Sequence, residues 1–340
     1  MRYPKFLEDG GTIGFVAPAF GCDSEPYKTA FENSLGKWQK MGYKTHLGPN
    51  VYEGSGIGIS ATPEKCGEEL NNEYCLGDSD ILISCGGGEL MCEVIPYMDF
   101  EKMSMVEPKW FMGYSDNTNF TFLSATIMDT AAIYGPCAAA FGMEPWHKSL
   151  KDALGILTGK TDTVKNYDLW EKESLKDEEH PLAPYNVTEK TEVKCFPDDL
   201  CVMGGRLLGG CLDSLANLVG TKYDKVRDFN NRYYKDGVIW FLEACDLNVM
   251  SIRRALFQLR EAGWFDEAKG FIIGRPLCFG EEAFGLNQYN AVTDILEGLN
   301  VPIIMDADIG HLAPMMPIIC GGSAKVAFSG GTLSITYTFE

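Results

Sequence analysis

The sequence predicts an α/β protein, a parallel sheet domain followed by a second, smaller unit of mixed character. Three observations carry this. Short apolar runs alternate with helical patterns through the first half, as parallel βαβ units require. The alternation resumes after a charged, proline-punctuated stretch near 160–200. Close to the C-terminus, AKVAFSGGTLSITYTF alternates about Gly330-Gly331 and reads as a β-hairpin.

Taken in order, TIGFVAP (12–18) is a buried strand ending at a proline. Tyr27, Phe31, Trp38 and Met41 then recur at near-helical spacing, with Pro26 well suited to a helix start. Residues 43–47 suit a strand, and Thr62-Pro63-Glu64 opens a helix with Thr62 as N-cap. DILIS (80–84) is a strand running into Cys85-Gly86-Gly87-Gly88. Residues 109–114 form the next strand, a helix follows to about Asp129, and 131–135 is another short strand.

The segment EKESLKDEEH (171–180) is densely charged, and prolines follow at 181, 184 and 197. It reads as a surface excursion, and its aromatic residues Tyr167, Trp170 and Tyr185 would also suit a lid over a site. The second half begins near Asp199. There, GGCLDSLANLVGT reads as a glycine turn followed by an apolar helix. VIWFLEA (238–244) is a strand, 248–262 a helix with Gly263 just past its end, and 271–274 and 301–305 are further strands. The expected division is therefore 1–160, a connecting 161–198, and 199–340.

Length and composition narrow the function. The chain has 340 residues, 45% hydrophobic and 23% charged, an ordinary globular composition. Its formal net charge of −19 argues against nucleic-acid binding, which needs a cationic face to displace counterions. No apolar run approaches the ~20 residues of a membrane span, and the basic start is not followed by the apolar stretch of a signal peptide. The 12 cysteines are scattered without a CxxC pair. Free thiols in a reducing compartment are expected, and no metal site, because neither Cys nor His falls at ligand spacing.

Candidate chemistry sits at strand ends. Of four histidines, His311 alone follows an apolar strand and lies between Gly310 and a loop carrying Pro314 and Pro317. That is where open α/β sheets expose reactive groups. Glu243 ends the apolar strand VIWFLE, where a carboxylate is costly unless paired. A salt bridge to Arg253 or Arg254 would satisfy it. So would an imidazole, for which Asp306, Asp308 and Asp246 compete.

Ser115 stands at a strand-to-helix junction, in Gly113-Tyr114-Ser115-Asp116-Asn117. The hydrolase elbow G-x-S-x-G is only half present, and Ser115 or Asp116 as a simple helix N-cap explains the pattern as well. The glycines of Cys85-Gly86-Gly87-Gly88 match no phosphate-loop spacing. They would let a backbone amide approach a reacting carbonyl oxygen.

Together, SCGGGE, GYSDNT, GGRLLGGCLDSL, FLEACD and DADIGHLAPMMPI, in this order and at these intervals, resemble the LD-carboxypeptidase family of serine peptidases, which includes the microcin C immunity peptidases. The resemblance implies a flavodoxin-like N-terminal domain and a smaller mixed α/β C-terminal domain. It implies a Ser–Glu–His triad of Ser115, Glu243 and His311, the serine in the first domain and its partners in the second. The oxyanion hole it implies uses the amide of Asp116 and one from Gly87 or Gly88. It further implies a cytoplasmic homodimer with no cofactor.

Within the family, the insertion around 165–190 and the proline-rich stretch after His311 look more like the microcin branch, which cleaves the amide joining a peptidyl or aminoacyl group to a modified nucleotide. Trp170 would then stack on the base. The alternatives are a murein tetrapeptide carboxypeptidase and, in another class, a non-catalytic peptide- or nucleotide-binding module. One departure is Cys85, where many relatives carry an arginine before the glycines.

Overall fold

The computed structural model describes residues 1–339. The first sheet is built as the apolar runs imply. Its strands are β1 (Thr12–Val16), β2 (Lys44–Leu47), β3 (Ile81–Ser84), β4 (Trp110–Gly113) and β5 (Ala132–Tyr134). They are parallel and lie in the order β2-β1-β3-β4-β5, the flavodoxin-like arrangement. β1, β3, β4 and β5 are buried almost throughout, as strands covered on both faces must be.

Helices connect the strands. α1 (Tyr27–Lys40) starts directly after Pro26, and α2 (Pro63–Cys75) is capped by Thr62, whose hydroxyl accepts the Lys65 N–H at 3.4 Å. α3 (Phe100–Met105) is capped by Asp99. α4 (Thr118–Thr126) follows β4 after a single 3-10 turn, Ser115–Asn117. All nine residues of α4 are buried, so it shows no polar face. Phe122 stacks on Trp264, with ring centroids 5.3 Å apart, and lies beside Trp240. α4 thus runs between the first sheet and the second half of the chain. α5 (Lys148–Leu157) completes the first half.

The charged excursion is ordered. It holds β6 (Thr163–Lys165), β7 (Leu169–Trp170), β8 (Glu189–Lys190) and β9 (Lys194–Phe196). The strands and helices of the second half are β10 (Leu200–Cys211), α6 (Leu212–Leu218), α7 (Val226–Arg232), β11 (Val238–Glu243), α8 (Val249–Glu261), β12 (Ala268–Gly274), α9 (Asn290–Leu296), β13 (Ile303–Ala307), β14 (Ile318–Cys320), β15 (Ser323–Ser329) and β16 (Thr332–Thr338). They form a mixed eight-stranded sheet, β6-β16-β15-β10-β11-β12-β13-β9. Strands from the excursion close both its edges. β14 instead crosses to the first sheet and pairs antiparallel with β5.

The hairpin of β15 and β16 turns on Gly330 and Gly331, both at positive φ, as a two-residue hairpin turn requires. The expected glycine turn before α6 is not a turn. Gly209 and Gly210 lie inside β10, paired with Phe241 and Leu242. They are small for reasons of approach: a Cβ on Gly209 would fall 1.7 Å from the Phe241 carbonyl, and one on Gly210 2.6 Å from the Thr118 side chain. The bare Gly209 lets β10 close on β11, and the bare Gly210 lets it lie directly on α4, where the Cys211 N–H reaches Thr118 Oγ1 at 2.9 Å. Among the described residues, no helix is long and apolar enough to cross a membrane. All twelve cysteines are free thiols.

Candidate active site

Three strand ends converge. Ser115 follows β4, Glu243 closes β11, and His311 follows β13 after the left-handed Gly310. Ser115 Oγ lies 2.9 Å from His311 Nε2, and His311 Nδ1 lies 2.9 Å from Glu243 Oε2. Glu243 is only 1% exposed. Neither arginine weighed as its partner is used: Arg253 pairs with Asp294 at 3.0 Å, and Arg254 makes no ion pair among the described residues. Of the three competing carboxylates, Asp246 is exposed and the other two are occupied elsewhere. Asp306 accepts from Tyr289 and Gln288, and Asp308 binds Arg275.

The charges reinforce one another. Burial pushes the Glu243 carboxyl up, but the neighbouring His311 charge and hydrogen bonds from His311 and Tyr134 outweigh it, so the net shift is downward. Burial alone would lower the His311 value. The Glu243 charge reverses this and holds it well above the ordinary imidazole range, helped by Cys245 beside the ring.

Ser115 sits at φ 62°, a left-handed conformation that costs a non-glycine residue about 1–2 kcal/mol. The sharp bend turns its hydroxyl out of the chain's path. Neither Ser115 nor Asp116 caps the helix. The Ser115 hydroxyl faces His311, while the Asp116 carboxylate accepts the Met91 N–H and the Asn119 side-chain amide. Burial raises the Asp116 carboxyl to about 6.

Gly113 explains why the second glycine of the elbow pattern is dispensable. A Cβ there would lie 2.8 Å from Asn117 Cγ, so a small residue at 113 makes room for a large one at 117. Asn117 then donates to the Gly86 carbonyl at 2.7 Å and to the Tyr114 carbonyl at 3.1 Å, tying the elbow to the glycine loop.

That loop is held by its carbonyls. Ser84 also donates to Gly86 O at 3.0 Å, and the Phe20 N–H donates to Gly87 O at 2.6 Å. Among the described residues, no acceptor meets the amides of Gly87, Gly88 or Asp116. Gly87 lies against the serine, since a Cβ there would be 3.3 Å from Ser115 Oγ.

Sequence reasoning missed Tyr134. Its hydroxyl accepts the Ser115 N–H at 3.0 Å and donates to Glu243 Oε1. Tyr134 pairs with Gly113 on the neighbouring strand, so the signal available in the sequence was a tyrosine ending the strand after the serine. Asn117 was visible within GYSDNT but carried no assigned role.

Trp170 is 4% exposed. Its ring lies 4.9 Å from the Arg275 guanidinium and 5.1 Å from Phe279, and no hydrogen bond joins it to Ser115, Glu243 or His311. Its neighbour Glu171 donates a backbone N–H to Ala313 O at 2.7 Å, which brings the segment beside the loop after His311. Among the described residues, no group of three or more His, Cys, Asp or Glu side chains is arranged to hold a metal ion.

This arrangement matches known proteins along nearly its whole length. Residues 13–135 match the LD-carboxypeptidase N-terminal domain, and residues 204–326 match the LD-carboxypeptidase C-terminal domain. The chain is 25% identical to the microcin C7 self-immunity protein MccF of Escherichia coli, over 97% of this chain and 94% of that one. It is 24% identical to the murein tetrapeptide carboxypeptidase of Pseudomonas aeruginosa, over 74% and 72%. In fold it resembles MccF solved in complex with glutamyl sulfamoyl guanosine, with a TM-score of 0.83 at 22% identity over 99% of this chain and 98% of that one. An MccF-like protein from Bacillus anthracis aligns with the same TM-score at 20% identity, covering 99% and 100%.

Proposed function

The chain belongs to the LD-carboxypeptidase family and is a serine-type carboxypeptidase, and from that premise we propose that Ser115, His311 and Glu243 form its catalytic triad and cleave the amide between a peptidyl or aminoacyl group and a nucleotide. The observation that carries the reading is the unbroken series Ser115 Oγ, His311, Glu243, two contacts of 2.9 Å drawn from three separate strand ends.

The roles follow from the donors. An ionised carboxylate only accepts, so Glu243 draws the His311 proton to Nδ1 and leaves Nε2 to accept from the Ser115 hydroxyl. Ser115 Oγ attacks the carbonyl carbon as its proton passes to Nε2, and Glu243 steadies the imidazolium. The Ser115 amide is already engaged by Tyr134, so the oxyanion falls to the amide of Asp116 and to Gly87 or Gly88. His311 returns the proton to the leaving amine, and water repeats the sequence on the acyl-enzyme.

The choice of a nucleotide amide is supported by MccF having been solved with aspartyl sulfamoyl adenosine as well as with the guanosine compound. Trp170 is buried against Arg275 and Phe279, so the base stacking expected of it forms no part of this reading. Murein tetrapeptide is the second reading, on the strength of the Pseudomonas relative. A cytoplasmic homodimer accompanies either, and sedimentation of the purified protein tests the assembly.

The deciding experiment gives purified protein both an aminoacyl sulfamoyl adenosine and a murein tetrapeptide. Faster hydrolysis of the first, abolished by Ser115→Ala, is expected. Unchanged hydrolysis in Ser115→Ala rules out the triad, and exclusive cleavage of the tetrapeptide rules out the nucleotide substrate.

A further inference from the structure

We propose that Tyr134 is a positioning residue of this site, its hydroxyl clamping the Ser115 backbone to the Glu243 carboxylate and tempering the basicity of His311. The proposal rests on the triad reading above. Tyr134 ends β5 and is fully buried, its ring set against Phe241 at 5.5 Å and edge-on to Tyr114 at 6.3 Å. The phenol has one proton to give. Glu243 Oε1 takes it, and the phenol oxygen accepts the Ser115 N–H at 3.0 Å. One hydroxyl therefore joins the elbow after β4 to the end of β11, across the junction of the two sheets.

Two consequences follow. The first is mechanical. Ser115 is held at φ 62°, and its N–H would lose its partner without the phenol. The second is electrostatic. The two Glu243 oxygens are divided, Oε1 to Tyr134 and Oε2 to His311. A donor on Oε1 draws negative charge away from Oε2 and so weakens the pull of the carboxylate on the imidazolium proton.

The other titratable groups facing this pair do not duplicate that role. Cys211, from β10, faces Glu243 and is itself bonded to Asp213. Cys245, after β11, faces His311 rather than Oε1. Tyr114 lies flank-on to the imidazole, with ring centroids 5.1 Å apart. Burial, with the Glu243 charge, holds the Tyr134 phenol well above its ordinary range, so it stays a donor throughout the working pH range.

The test measures the rate at which a fluorophosphonate, which needs only an activated serine, labels the full-length protein across pH. Tyr134→Phe is expected to slow labelling roughly 10- to 100-fold, the equivalent of one hydrogen bond to a charged group. It should also move the acid limb of the profile to higher pH. Hydrolysis should lose kcat with little change in KM. Site-specific replacement of Tyr134 by a ring-fluorinated tyrosine, a stronger donor of nearly the same size, should move the limb the opposite way.

A purely structural role predicts no such opposed shifts, so limbs unmoved in both proteins overturn the proposal. If Tyr134→Phe does not fold, the fluorinated protein alone decides. Labelling that persists in Ser115→Ala would instead sink the triad reading, a separate and distinguishable failure.

Discussion

Gly310 and Glu243 are packed so closely that a methyl group on residue 310 would lie 2.6 Å from Glu243 Oε2. Gly310 also sits at φ 103°, a conformation L side chains rarely adopt. Gly274 closes the other side, its Cβ position 3.1 Å from Glu243 Cβ. The carboxylate is thus held by missing side chains as much as by hydrogen bonds. Gly310→Ala is expected to displace it from His311, lowering kcat sharply and costing about 1–3 kcal/mol of stability. Kinetics and thermal melting of the same preparation check both effects.

Gly87→Ala should behave differently. Its added methyl would stand 3.2 Å from Ser115 Cβ and 3.3 Å from Oγ, in the path of an approaching carbonyl. Gly87 has no positive φ, so backbone strain is not at issue. The N–H is kept, so the effect is steric, and activity should fall by roughly the 10²-fold that misplacing a substrate by about an ångström costs, with the melting temperature nearly unchanged. A variant as active as the parent would show that residue 87 does not border the path of the reacting carbonyl.

Ser115→Ala and His311→Ala should cost similar amounts, and the double variant little more than either, because triad members act as a unit. Glu243→Ala should cost less. Strictly additive losses in the double variant would count against a triad. Single-turnover kinetics separate the chemical step from release.

The His311–Glu243 pair sets the pH dependence. His311 must be neutral to accept the serine proton, and its folded value lies well above the ordinary 6.5. The acid limb of kcat/KM is therefore expected above pH 6.5 and should vanish in His311→Ala. For stability the sign runs the same way for the imidazole. Its contribution is fully present below 6.5 and lost as pH rises through the folded value. Glu243, held below its ordinary 4.5, contributes above that pH and loses its contribution as pH falls through the folded value. Chemical denaturation of wild type and His311→Ala across pH should show the difference between them shrinking on the alkaline side.

Much of the fold was legible because local pattern and tertiary role agreed. β1, β3 and β4 are continuous apolar runs, and Thr62 caps its helix as expected, while Asn248, expected inside the next helix, caps it instead, accepting the Ser251 N–H at 3.0 Å. Where pattern and role diverged, the reading failed. The glycines of β10 looked like a turn, because a close backbone approach and a bend call for the same residue. α4 carries no amphipathic stripe because both its faces are covered. The excursion after residue 160 looked like a solvated connection, yet its short strands close the second sheet by backbone pairing, which leaves little mark on side-chain pattern.

By itself the sequence determined which side chains end the strands: Ser115 on a glycine-bounded junction, Glu243 on an apolar run, His311 after another. It did so because a buried strand needs an apolar run, and a polar residue at its end stands out. Only the tertiary structure decided that these ends meet within 2.9 Å of one another, that Ser115 adopts a left-handed bend rather than a helix cap, and that Tyr134 bridges the serine amide and the glutamate. Those are relations between residues up to 196 positions apart, fixed by how two sheets pack about one buried helix, and no local pattern encodes them.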